Sequence, residues 1–218
     1  MLQHVFERAS LARYLDKVVI ATDDDSIYAA ARAFGAMVKM TRSDHLSGTD
    51  RAAEVASSEN ASLVVNIQGD EPLIDPDAID AAALSLLDDP DLNMGTLKKR
   101  IENPLEISNP NVVKVVTDRD GDALYFSRCP IPSVRDIRDG NTAHYKHIGL
   151  YVYRTEFLLH YSELPVGPLE QAERLEQLRA LENGYRIRVI ETEYDSLGVD
   201  TPEDLKHVTS LFEASLLR

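Results

Sequence analysis

Asp70 and Asp200 each stand in a short turn behind a strand-like run, a setting suited to holding a divalent cation. The first lies in Asn66-Ile67-Gln68-Gly69-Asp70-Glu71-Pro72, after the apolar run 63–67, which has the β-branched character of a buried parallel strand. Ligands of open α/β sheets collect beyond the carboxyl ends of such strands. The second lies in Gly198-Val199-Asp200-Thr201-Pro202-Glu203-Asp204, where Thr201 reads as an N-cap, Pro202 as the first helical residue and Glu203 and Asp204 as first-turn acids. A lone turn aspartate ordinarily bonds nearby backbone or caps a helix, and that role stays open for each. Two such turns together are harder to account for as capping alone.

Other polar groups fit plainer roles. Glu170, Glu173 and Gln177 fall on one face of a helix expected over 168–182, with Leu175, Leu178 and Leu181 on the inward stripe, and the spacing favours a solvated acidic face. His144 and His147, three apart near a strand, point to opposite faces and make no chelate. Asp23-Asp24-Asp25 reads as an acidic helix start. Ser47-Gly48-Thr49 opens a helix that carries Arg51, and the glycine permits close approach of a ligand to the backbone; ordinary capping is the alternative. The single cysteine, Cys129, is expected to be a small buried or half-buried residue.

The elements that must position these groups alternate through the first half of the chain. Helices are expected over 2–14, 24–34, 49–59 and 75–87, and strands over 17–21, 37–40 and 63–68. That alternation predicts a doubly wound, mostly parallel α/β sheet. Strands at 94–99, 112–117 and 123–127 follow, the last two joined by a hairpin turn over 118–122, so an antiparallel insertion is expected. The polar, aperiodic stretch 133–145 reads as a mobile loop beside the site, in the position of a lid. A strand at 146–154, helices near 155–162, 168–182 and 202–217, and a strand at 185–192 complete one domain.

Composition sets bounds. With 218 residues, 44% of them hydrophobic, the chain can bury a real core. A formal charge of −14 argues against nucleic acid or an anionic membrane surface as partner, so a polyanionic substrate must be held by local cations. No apolar run reaches the length of a membrane span and no secretory signal pattern opens the chain, which makes the cytoplasm the default location.

Read in order, Ser47-Gly48-Thr49-Asp50-Arg51, Gly69-Asp70-Glu71-Pro72, Asn109-Pro110-Asn111-Val112-Val113-Lys114-Val115-Val116, Tyr125-Phe126-Ser127-Arg128, His147-Ile148-Gly149, Pro168-Leu169-Glu170, Leu175-Glu176-Gln177-Leu178-Arg179 and Gly198-Val199-Asp200-Thr201-Pro202-Glu203-Asp204-Leu205 resemble the 3-deoxy-manno-octulosonate (Kdo) cytidylyltransferases. The resemblance implies a nucleotidyltransferase fold and the reaction of CTP with Kdo to give CMP-Kdo and pyrophosphate for lipopolysaccharide. It also implies Mg²⁺ as cofactor, held by Asp70 and Asp200, and a homodimer. By the same resemblance Arg128 pairs the Kdo carboxylate, His147, Tyr151, Glu176 and Gln177 bind the sugar hydroxyls, and Ser47, Gly48, Arg51 and Gln68 contact the nucleotide. A cytidylyltransferase for another acidic sugar, such as sialic acid, is the alternative within enzymes, and a non-catalytic remnant the alternative outside them.

The family has a strand and a basic, triphosphate-gripping loop ahead of the helix with which this sequence opens. About thirty residues, the size of one strand and its connections, are therefore expected to be missing. Such a strand belongs near the middle of the sheet, and a groove with unpaired edges is expected where it would run.

Overall fold

Side-chain caps fix most helix starts in the computed structural model, which describes residues 1–135 and 142–216. Asp24 accepts the amides of Ser26 and Ile27 to open α2 (Asp25–Ala33), Ser47 accepts Asp50 N to open α3 (Gly48–Ala56), and Asp75 accepts Asp77 N to open α4 (Pro76–Asp88). The expected acidic helix start at 23–25 is thus borne out at Asp24. Helix α1 (Leu2–Ala9) ends earlier than its periodicity predicts. The reason is Asp80, a buried carboxylate whose Oδ1 takes the amides of Arg13 and Tyr14 at 2.8 and 3.0 Å and so diverts them from helical bonding.

Strands β1 (Val19–Thr22) and β2 (Met37–Met40) pair in parallel as a separate two-stranded sheet. The larger sheet holds β3 (Leu63–Asn66), β4 (Met94–Arg100), β5 (Lys114–Thr117), β6 (Ala123–Ser127), β7 (Tyr145–Arg154) and β8 (Ile187–Glu191) in the order β6-β5-β7-β4-β8, with β3 also on β7. The expected α/β sheet is present, and β3, β4, β5 and β8 all run one way. The antiparallel strands lie differently from expectation. The ten-residue β7 sits in the middle of the sheet, antiparallel to β3, β4 and β5. The predicted hairpin joins β5 to β6, with Asp118 Oδ1 taking the amides of Asp120 and Asp122 and Gly121 at φ +85°. A short helix, α5 (Pro104–Ser108), capped by Asn103, escaped the sequence reading.

Alternation along β7 divides the core. Ile148, Leu150 and Val152 pack with α1 and α4, whereas Tyr153 and half-buried Tyr151 face a second layer with α3, α6 (Thr155–Tyr161) and β6. A third, small cluster of Ile20, Ala31 and Ala36 serves β1, β2 and α2. Helix α1 stands between, giving Leu2 and Phe6 to that small cluster and Val5 and Ala9 to the α4 layer.

Among the described residues β1 pairs with β2 alone and β3 with β7 alone, which leaves each with a free edge. Between these edges runs a groove of about 790 Å³, lined by residues 17–21 and 61–69 together with Leu2, Phe6, Val55 and Leu87. This is the groove the sequence analysis expects.

The helix predicted over 168–182 is two, α7 (Pro168–Glu173) and α8 (Leu178–Glu182). They are divided at Arg174, which takes the left-handed conformation at φ 55°. Helix α9 (Pro202–Leu216) closes the described chain; Leu217, the last residue of its predicted span, lies outside it. Of the loop predicted over 133–145, residues 136–141 lie outside the described part, and with them the expected lid.

Candidate active site

The turn carrying Asp70 follows β3, and the segment carrying Asp200 follows β8 and leads into α9. They meet: Val199 N donates to Asp70 O at 3.0 Å, which brings the two turns into backbone contact across 129 positions of sequence. Thr201 Oγ1 takes Asp204 N at 3.2 Å, as expected of the N-cap read from the sequence, and the Asp204 carboxylate accepts Thr201 N at 2.9 Å in return. Beside Asp70, the buried Glu71 accepts the Tyr194 hydroxyl at 2.9 Å, and burial pushes its carboxyl above the usual range.

The described residues contain no cluster of three or more His, Cys, Asp or Glu side chains able to hold a metal. Carboxylates on two adjoining turns are nevertheless the kind of donor Mg²⁺ takes, since it keeps several waters and is bound through one or two carboxylates plus substrate phosphates.

The N-terminus of α3 supplies the next group. Gly48, Arg51 and Gln68 line the groove between β1 and β3, and Ser47 caps the helix at its mouth. Arg51 does not stand free: it donates to Thr41 Oγ1 at 2.5 Å and pairs with Asp23 at 3.2 Å.

The remaining candidates gather around β7 and the break between α7 and α8. His147 and Tyr151 share one face of β7, their rings 5.4 Å apart, and His147 meets the edge of Phe126 at 5.0 Å. Thr96 Oγ1 lies 2.9 Å from His147 Nε2, and enclosure by protein pushes the imidazole pKa down to about 3, so the ring is neutral at ordinary pH. His144 contacts Pro132 O at 3.1 Å, consistent with the two histidines having separate partners.

Glu176 and buried Gln177 reach the interior because the chain kinks at Arg174. Burial raises the Glu176 carboxyl above its usual range, while hydrogen bonds from Thr49 and Ser47 and the charge of Arg179 oppose that rise. Its Oε1 is buried with no partner among the described residues. The Glu176 carboxylate therefore touches the N-terminus of α3, where Ser47 and Gly48 stand.

The acidic face expected at Glu170, Glu173 and Gln177 is not solvated. Arg179 grips Glu170 in a two-bonded pair at 2.9 and 2.6 Å, and Glu173 accepts Ser127 Oγ at 2.6 Å and Arg128 N at 2.9 Å. Splitting the helix turns these side chains toward β6 and α8 instead of water. Arg128 follows β6 and gives Nε to Glu173 O at 2.8 Å, Nη1 to Pro110 O at 3.1 Å and Nη2 to Arg174 O at 3.3 Å. A guanidinium has five donors. One N–H on each terminal nitrogen is thus left without a partner among these contacts.

Behind Arg128, the fully buried Lys114 donates to the carbonyls of Asn109, Val112 and Arg128 at 2.9, 2.6 and 2.6 Å. Sequence reasoning gave no role to Lys114, Thr96 or Tyr194, and gave Glu173 only a place on a solvated face. Only Lys114, a cation within the apolar run Val112-Val113-Lys114-Val115-Val116, carried a readable signal. Cys129 is exposed, contrary to expectation, because it follows β6 into a surface loop.

The sequence profile of the cytidylyltransferases matches residues 1–187. A 3-deoxy-manno-octulosonate cytidylyltransferase of Solibacter usitatus is 72% identical over 100% of the chain and 86% of its own length. The chain belongs to the 3-deoxy-manno-octulosonate cytidylyltransferase family. A second member, from Pelobacter propionicus, is 55% identical over 98% of this chain and 88% of its own. A solved CMP:2-keto-3-deoxy-manno-octonic acid synthetase complexed with CTP superposes with a TM-score of 0.94 at 43% identity, covering 98% of this chain and 88% of that one.

Proposed function

We propose that the chain transfers CMP from CTP to the anomeric hydroxyl of Kdo, with Mg²⁺ held by Asp70 and Asp200. The observation that carries this reading is the Val199–Asp70 hydrogen bond of 3.0 Å, which joins the two carboxylate-bearing turns. The sugar oxygen forms a bond to the α-phosphorus, the bond from that phosphorus to the bridging β-phosphate oxygen breaks, pyrophosphate leaves and the hydroxyl proton is released. When bound, the ion supplies charge neutralisation at the α-phosphoryl oxygens and acidifies the attacking hydroxyl.

Ser47, Gly48, Arg51 and Gln68 hold the nucleotide in this reading. Arg128 offers its two remaining N–H groups to the Kdo carboxylate, a planar match that an ammonium lacks. His147 stays neutral and, with Tyr151, Glu176 and Gln177, orients the sugar hydroxyls. The unpartnered Oε1 of Glu176 supports that role, because a buried acceptor without a donor is costly unless a ligand supplies one. The same reading makes the protein a cytoplasmic homodimer that serves lipopolysaccharide synthesis in a Gram-negative bacterium.

Pyrophosphate release with CTP and Mg²⁺ tests the proposal, with Kdo or sialic acid as acceptor, for this chain and for a form extended upstream through the family's basic loop. Release is expected with Kdo alone, and Asp70→Asn or Asp200→Asn should lower it at least about a hundredfold. Arg128→Lys should raise KM for Kdo about tenfold and change that for CTP little. Equal use of sialic acid, or undiminished release by either aspartate variant, overturns it.

A further inference from the structure

The segment 192–201 links β8 to α9 and carries Asp200, and its contacts fall into two sets. One set ties it to the sheet: Thr192 N donates to Lys98 O at 2.9 Å, Lys99 Nζ to Glu193 O at 2.8 Å, and Lys146 Nζ pairs with Asp195 at 2.7 Å. The other ties it to the Asp70 turn. Tyr194 gives its hydroxyl to Glu71 Oε2 at 2.9 Å, and Ser196 also bonds to Glu71. Val199 N then reaches Asp70 O at 3.0 Å. Tyr194 and Glu71 are both buried, 8% and 7% exposed, so water does not readily replace their bond.

We propose that Tyr194 is a positioning residue for the Asp70–Asp200 pair: by holding Glu71 it locks the Asp200 segment onto the Asp70 turn and sets the separation at which the two carboxylates share one ion. This rests on the metal reading above. Mg²⁺ demands near-octahedral oxygens at about 2.0–2.1 Å, so a small shift of one turn costs affinity. Groups that orient ligands without touching the metal are typically worth about 10–100-fold in binding. Glu71 itself is committed to Tyr194 and Ser196, which gives it the role of anchor and leaves the ion to its neighbour Asp70.

Mn²⁺ titrated in the presence of CTP and followed by electron paramagnetic resonance tests the idea. Amide hydrogen exchange at Val199 gives a second readout that needs no metal. Tyr194→Phe keeps the ring and removes only the hydroxyl; Mn²⁺ affinity should fall about tenfold, and Val199 should exchange faster while Val189, bonded to Gly121 O, stays protected. Glu71→Gln keeps an acceptor for the phenol and should stay within about twofold of the parent, whereas Glu71→Ala should match Tyr194→Phe. A residue with a merely structural role would lower the melting temperature and leave Mn²⁺ affinity alone.

Unchanged exchange at Val199 in Tyr194→Phe overturns the proposal, as does Mn²⁺ affinity unchanged in that variant but lost in Asp70→Asn and Asp200→Asn. If Glu71→Gln loses as much affinity as Asp70→Asn, Glu71 is a ligand and the positioning role is wrong. Affinity undiminished in both aspartate variants overturns the metal reading itself.

Discussion

His147 is a titratable group kept from titrating. Enclosure drops its pKa from 6.5 to about 3, so from 6.5 down to about 3 the unfolded chain binds a proton that the native chain refuses. The stability this neutral ring preserves is complete above 6.5 and is lost as the pH falls through that window. Thermal melts at about pH 7 and pH 4 should therefore differ more for the parent than for His147→Gln, and equal slopes would mean that the ring is hydrated in the native state. The candidate site was legible to the extent that its residues sit in turns with local signatures. Asp70 and Asp200 each follow a strand and precede a helix start, and the capping pattern at Thr201 could be read directly. Thr96 and Glu173 were illegible because their meaning depends on strand neighbours: Thr96 matters only because β7 brings His147 beside it. Arg128 was legible as a type but not in its partners, which are carbonyls of three separate segments.

Elements were read well where apolar periodicity and caps agreed, as in α2, α4 and β7, and poorly where one buried polar contact overrode them. Asp80 cut α1 short, and a single left-handed residue, Arg174, split the helix after Pro168, which periodicity has no means of detecting. Ion pairs also fasten the β1–β2 edge to the turn that follows α3. Glu59 binds both Lys17 and Lys39, and hydrogen bonds from these two lysines hold its carboxyl down from 4.5 to about 2. The depressed value gives the sign: this tie is complete above 4.5 and is lost as the pH falls through about 2. Hydrogen exchange at the β2 amides should accelerate as the pH is lowered through that window, beyond the intrinsic pH effect, and Glu59→Gln should show the faster exchange already at neutral pH with no further dependence. Identical protection in parent and variant would show that Leu2 and Phe6 of α1 hold this edge without help from charge.

At the scale of the molecule, the sheet is interrupted between β1 and β3, and the groove there is walled largely by apolar side chains and free strand edges. Unpaired edges are both a cost and a template for pairing. A β-branched strand fused ahead of Met1 should raise the melting temperature by several degrees, since each kcal/mol is worth about 2–4 °C at this size, and should protect the β3 amides from exchange. An unchanged melting temperature would mean that the groove does not accept a strand. The central place of β7 could not be foreseen, because alternating signals give strand order along the chain and not across the sheet. That place has a consequence for how the protein is made. Leu63 must wait for Arg154, and Met94 for Tyr153, before either strand finds its long partner. As the chain leaves the ribosome, β3 and β4 emerge well before β7, so the nascent chain presents open apolar strands for seconds at ordinary elongation rates of about 5–20 residues per second. The interval before β7 arrives is the stage of synthesis at which this protein has most need of a chaperone.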